Sequence, residues 1–284
     1  TQIPLNPTVA IIGAGAAGLS AARELSRQGI SFVIIEAANR VGGRAYTESS
    51  SFMQPVDHGC SWITGSDRNF FKEFGMKEGF TLLDHSNASA DTFEKDGVRS
   101  SPLSIERYTS AERSIEKAIN DAGKAGKDIP ASQVISHICN GGIYQNWESA
   151  LNFAVDMKDI STLDYYRARQ SQPSHIVKEG LGYLVSRLNR NFPIKLNTTV
   201  TEINHSGQKV EVITTAGILK AKYCICTVSI GVLQAEKIKF TPPLTVQKQE
   251  AINDLQMGLL IKIPLLFDGN RLGLGENNRV EYDL

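Results

Sequence analysis

The stretch Val9-Ala-Ile-Ile-Gly13-Ala-Gly15-Ala-Ala-Gly18-Leu19 decides how this chain begins to fold. Four consecutive apolar residues read as a strand buried on both faces, and Gly13 permits the tight turn that ends it. Gly15 lets a pyrophosphate approach the backbone of Gly15, Ala16 and Ala17 at a helix N-terminus, while Gly18 lets that helix pack closely on the strand. Leu19, Ala22 and Leu25 are spaced for one buried helical face, so the helix is expected from Ala16 to Gln28, stopped by Gly29. A second apolar run, Phe32-Val-Ile-Ile, ends in Glu36, close to where an acidic side chain accepts the ribose hydroxyls of an adenosine half. Strand, glycines, helix, strand and acid occur in the order that a dinucleotide-binding βαβ unit requires.

A nicotinamide cofactor would satisfy the same pattern. The continuation Glu36-Ala37-Ala-Asn-Arg40-Val-Gly42-Gly43-Arg44 points to FAD instead. Two adjacent glycines between two arginines let backbone lie against a diphosphate, while the guanidinium groups neutralise its charge and bond its oxygens.

The run from Gly13 to Arg44 resembles the flavin-containing amine oxidases, a group that includes monoamine, polyamine and L-amino-acid oxidases. Related desaturases and protoporphyrinogen oxidase share this part. Val56-Asp-His-Gly59-Cys60-Ser61-Trp62-Ile-Thr64-Gly65 is similar to the family segment that passes beside the flavin ring. That similarity implies that the backbone of Gly59, Cys60 and Ser61 meets the isoalloxazine and that Trp62 packs by the cofactor, with Trp62 and Thr64 facing the substrate cavity. Further on, Val200-Thr-Glu-Ile203, Tyr223-Cys-Ile-Cys-Thr227-Val-Ser-Ile-Gly231-Val-Leu233 and Ile238-Lys-Phe-Thr-Pro-Pro243 follow the polyamine-oxidase-like pattern in order. The resemblance implies a strand from Lys195 that delivers the Val200 backbone to the adenine, and a cofactor contact at Thr227. Within Met257-Gly-Leu-Leu-Ile-Lys262-Ile-Pro-Leu-Leu-Phe267 it places Lys262 on a strand beside the flavin. A lysine in so apolar a run has to reach a polar cavity or carry a lowered pKa.

The implied fold is α/β, a Rossmann-like FAD-binding domain in a p-hydroxybenzoate-hydroxylase-like two-domain architecture, with an interleaved α+β substrate domain. Residues 1–71 and 176–235 would form the FAD-binding domain, and residues 72–175 and 236–284 the substrate domain. Family chains continue further and carry a last glycine-rich flavin-binding segment that is not found before Leu284. The implied reaction is oxidation of a deprotonated amine to an imine by hydride transfer to flavin N5, with O2 reduced to H2O2 and the imine hydrolysed to a carbonyl. Lys262 would hold a water near N5, assisting oxygen reactivity or imine hydrolysis. Several polyamine oxidases carry Glu or His at the position of the neutral Thr64, which makes a polyamine the less favoured amine. An L-amino-acid oxidase, a desaturase or protoporphyrinogen-type oxidase, and an inactive flavin-binding fragment are the alternatives. Expected partners are an amine substrate, O2 and the remaining portion of the enzyme as a second chain, with a homodimer left open.

Composition narrows the field by exclusion. The 284 residues are 41% hydrophobic, enough for a large core and two domains, and 30 basic residues balance 30 acidic ones. No nucleic-acid or anionic-membrane footprint is visible, and no apolar run approaches the roughly 20 residues that span a bilayer. Cys60, Cys139, Cys224 and Cys226 lack metal-ligand spacing, so no metal is expected; Cys224 and Cys226 share one strand face and are read as packing residues. A cytoplasmic location is expected, with a periplasmic or secreted one after leader removal as the alternative. Ile105, Tyr108, Ile115, Ala118, Ile119 and Ala122 form a helical stripe interrupted by Gly123 and Gly126. The segment from Trp147 to Arg169 reads as a further helix and turn whose carboxylates Glu148, Asp156, Asp159 and Asp164 form a solvated face.

Overall fold

The computed structural model describes residues 4, 6–65, 67–86, 89–93, 97–139, 141–168, 173–269 and 278–282. Arg169 and Leu284, named above, lie outside them. The chain forms two compact units: Thr1–Ile63, Phe70–Leu83 and Ile176–Met257 make one, and Thr64–Asn69, Asp84–His175 and Gly258–Leu284 make the other.

The first unit is built on a four-stranded parallel sheet. Strand β1 (Val9–Ile12) lies between β2 (Phe32–Ile35) and the strand Tyr223–Cys226, in a register that sets Val9 opposite Phe32 and Tyr223, with Ile194–Lys195 outside β2. All eight residues of β1 and β2 are buried, as two covered faces require. Helix α1 (Ala16–Arg27) ends one residue earlier than expected, because Gln28 caps it and Gly29 turns the chain at φ +66°. Ile11, Leu19 and Ile34 pack with Phe74, Leu184 and Leu188 on one side of the sheet. On the other side Ala10, Ile12 and Ile35 meet Val200, Ile203 and Val212.

A second sheet carries the hairpin Val210–Thr214 and Gly217–Ala221, the strand Val200–Asn204 antiparallel to it, and Lys239–Thr241 parallel to Val200–Asn204. That last pairing keeps residues 236–257 in the first unit, where the sequence reading assigned them to the substrate domain. Residues 70–83 also join it, because Phe74 is buried in its core, with Phe71, Phe80 and Leu82 packed around. The expected strand from Lys195 to Val200 is broken. Lys195 pairs with Ile35, the chain turns through Asn197 at φ +51°, and Val200 opens a strand of the other sheet.

The second unit is mainly helical. Ser101 caps the helix Pro102–Lys124 by accepting from the Ser104 N–H, and Ile115 and Ile119 are fully buried along the expected stripe. Gly123 does not interrupt this helix. A Cβ there would collide with the Thr162 carbonyl and lie 2.5 Å from Tyr166 Cβ, so the glycine lets the helix Thr162–Ala168 lie close. The helix Gly142–Asn146 runs into a π-helix, Trp147–Phe153, ended by Ala154 at φ +54°. Within it Glu148 is 3% exposed, which corrects the expectation of a solvated carboxylate face at that position; Asp156, Asp159 and Asp164 are exposed.

Residues 257–267 form no strand, contrary to expectation. A strand exists only where a neighbour answers its N–H and C=O groups, and none of the described residues forms a ladder with this run. Leu259, Ile261 and Ile263 stay more than 70% exposed, at 79%, 71% and 78%. The last described strand, Asn278–Tyr282, pairs in parallel with Ser89–Phe93. No helix among the described residues is long and apolar enough to cross a membrane.

Candidate cofactor site

The site forms where β1 ends. Gly13 adopts φ +101°, a conformation that strains any side chain, and donates from its N–H to the Ile35 carbonyl at 2.8 Å. Thr227 closes the same turn from the far strand: its N–H reaches the Ile12 carbonyl at 3.0 Å and its hydroxyl donates to that carbonyl at 2.7 Å. A Cβ on Gly18 would fall well inside contact distance of the Gly13 carbonyl, so only glycine lets α1 start here. Gly15 occupies the N-cap and no side chain caps the helix, which leaves its positive end open to an anion.

The second glycine motif folds onto the first. Gly42 donates to the Ala14 carbonyl at 2.8 Å, and a Cβ on Gly43 would come 3.2 Å from the Gly15 Cα. Arg40 stacks over the Tyr46 ring at 4.0 Å and donates to the Gly43 carbonyl at 3.0 Å, so its cation is held against the loop. Arg44 is exposed beside it; its carbonyl accepts from the Cys60 N–H at 3.2 Å, and Gly59 has no room for a Cβ against that same carbonyl.

Glu36 is held by two backbone bonds, its carboxylate oxygens accepting from the N–H groups of Ala14 at 2.7 Å and Ala38 at 2.8 Å. Four lone-pair directions on a carboxylate leave acceptor capacity for a ribose hydroxyl. Asn197 and Thr198 come beside it, donating to the carbonyls of Ala38 and Glu36 at 2.9 Å each, and Val200, its side chain buried in the core, opens the next strand. Ala16 is half-buried, Ala17 and Ala37 are exposed, and Trp62 on the strand Trp62–Ile63 is 42% exposed. Thr64, whose carbonyl accepts from Asn69, and Lys262 belong to the second unit.

One residue to which the sequence reading gave no role braces this site. Asp57 accepts from the Thr47 hydroxyl and from the N–H groups of Leu181 at 3.1 Å and Gly182 at 3.4 Å, tying the loop ahead of Gly59 to the helix Leu181–Ser186. Burial pushes the Cys224 thiol up to about 12, with Cys226 beside it adding to the shift, and burial also raises Cys226. Cys224 is half-buried and Cys226, expected to pack beside it, is exposed; the raised pKa keeps both thiols protonated near neutral pH.

A cradle that any Cβ would fill, an uncapped helix end, two arginines and a fixed carboxylate fit the diphosphate and ribose of FAD. The model of the flavin containing amine oxidoreductase family matches residues 16–130 and 131–278. Polyamine oxidase 4 of Oryza sativa subsp. japonica is 31% identical over 294 residues, which cover 92% of this chain and 59% of that protein. Lysine-specific histone demethylase 2 of Homo sapiens is 27% identical over 289 residues, covering 92% of this chain and 35% of that protein. Putrescine oxidase bound to putrescine shares the fold at a TM-score of 0.71 and 16% identity, over 88% of this chain and 63% of that one. The chain therefore spans less than two thirds of the length of these relatives. A family match that continues from the first turn of α1 to residue 278 takes in both compact units, and the chain belongs to the flavin-containing amine oxidoreductases.

Proposed function

We propose that this chain forms the FAD-binding and part of the substrate-binding portion of an amine oxidase, acting on a primary or secondary amine. The observation that carries the reading is the closure of the two glycine motifs on one another, Gly43 against Gly15, with Glu36 fixed between Ala14 and Ala38. The helix end, Arg40 and Arg44 would hold the diphosphate charge, and Glu36 would accept from the ribose. The exposed Trp62 ring and the Gly59–Ser61 backbone would contact the ring system. Bound flavin would supply the two-electron acceptor chemistry that no side chain provides.

In balance, the amine loses two electrons and two protons, water adds to the resulting imine to release a carbonyl and an amine, and O2 takes up the electrons and protons as H2O2. Lys262 holds the water and moves the proton for oxygen reaction or imine hydrolysis. The first compact unit serves as the FAD-binding domain and the second builds the substrate cavity. Thr64 is exposed and uncharged, so the substrate is an amine that needs no charged partner there; polyamines remain in the class to be tested because relatives carry that name.

Peroxide release tests it. The flavin-loaded protein with all of its chains should release peroxide on addition of one amine class, and Lys262→Met should slow flavin reoxidation or product release. No peroxide from any amine would refute the oxidase reading, and near-normal half-reaction rates in K262M would refute the role of Lys262 alone.

A further inference from the structure

We propose that Gly258, seated on the end of the π-helix Trp147–Phe153, is the positioning residue that sets where Lys262 stands. This rests on the role given to Lys262 above. No ladder among the described residues holds the run 257–267, so contacts other than strand pairing place it. At Gly258 an added Cβ would lie 2.7 Å from Ala154 Cβ, 3.1 Å from the Phe153 carbonyl oxygen and 3.2 Å from that of Ala154. The backbone of the run therefore rests directly on the end of the π-helix, at the one residue type that permits it.

That end is rigidly built. Ala154 stands at φ +54° and its N–H donates to the Ser149 carbonyl, the wide turn of a π-helix; the Val155 N–H reaches the same carbonyl at 3.1 Å. Ser149 Oγ donates to the Gln145 carbonyl at 2.6 Å, tying the π-turn to the preceding helix. Glu148 is buried within the turn and accepts from Asn152 Nδ2 at 3.2 Å, and the Phe153 ring lies against Tyr165 at a centroid distance of 5.8 Å. Lys262 follows four residues after Gly258, on the order of 13 Å of extended chain. A displacement at Gly258 moves the chain within four residues of the lysine.

The test is a set of variants of the flavin-loaded protein, complete with any companion chain. Gly258→Ala drives a methyl group into Ala154, and Ala154→Gly removes the nearest atom it meets, leaving two carbonyl contacts that need give only a few tenths of an ångström. G258A should slow the step that K262M slows by about tenfold or more, since ångström-scale misplacement of a catalytic group costs that much. G258A with A154G should recover the rate, and G258A added to K262M should slow nothing further. Hydrogen exchange at residues 154 and 155, whose N–H groups bond the Ser149 carbonyl, should be faster in G258A and return to the parent pattern with A154G. Unchanged exchange in G258A, or rate effects of G258A and K262M that multiply, would overturn the proposal. Normal rates in K262M itself would overturn the role of Lys262, while exchange would still report separately whether Gly258 seats the segment.

Discussion

Gly18 shows how little freedom the cofactor loop has. Its missing side chain is the space occupied by the Gly13 carbonyl, so Gly18→Ala has to push α1 off β1. The expected result is about 1–3 kcal/mol of lost stability and protein purified without flavin, read from melting and the visible spectrum. Asp57 offers a second case. Asp57→Ala abandons the N–H groups of Leu181 and Gly182 and the Thr47 hydroxyl, and should cost about 1–3 kcal/mol in a denaturant melt while Glu36 keeps its bonds. Glu36 was legible in the sequence because a βαβ unit fixes its distance from the glycines. Asp57 was not, since its partners lie 124 and 125 residues away and no local pattern announces them. The unbroken strand from Lys195 to Val200 was misread for a related reason: the turn at Asn197, which moves the chain from one sheet to the other, leaves no apolar signature.

Elements repeat the lesson with periodicity in place of spacing. The stripe on Pro102–Lys124 was readable because 3.6-residue recurrence survives in the sequence, whereas a π-turn adds one residue and leaves no distinct signature around Glu148. The lysine-bearing run was expected as a strand from its resemblance to the family pattern, but strand formation needs a partner as well as apolar residues. The helical unit also carries an alkaline liability. Burial pushes the Tyr165 phenol up to about 12, with Glu148, Glu116 and Glu112 nearby adding to it against a lowering hydrogen bond with Tyr144, which is itself raised, first by burial. An unfolded phenol ionises near 10.0, so above that pH the unfolded chain binds fewer protons than the folded one and stability falls as pH rises toward 12. Below pH 10 the contribution is fully present. Tyr165→Phe should flatten that decline in alkaline melts followed by circular dichroism; parallel curves for the two proteins would contradict it.

For the whole molecule, discontinuity was readable and its seams were not. The return of the chain near Ile176 was expected from the family resemblance, while the allegiance of residues 72–83 and 236–257 follows from Phe74 in a core and Lys239–Thr241 in a sheet, contacts made across the chain. The same two units carry the glycine cradle and the lysine run, and the account holds that together they serve amine oxidation by a bound flavin. The most direct test is the visible spectrum of the flavin-loaded protein, with all of its chains, mixed anaerobically with a panel of primary and secondary amines. The account predicts that one amine class bleaches the oxidised flavin band and that air restores it with release of peroxide. A loaded flavin whose band none of the amines bleaches would contradict it.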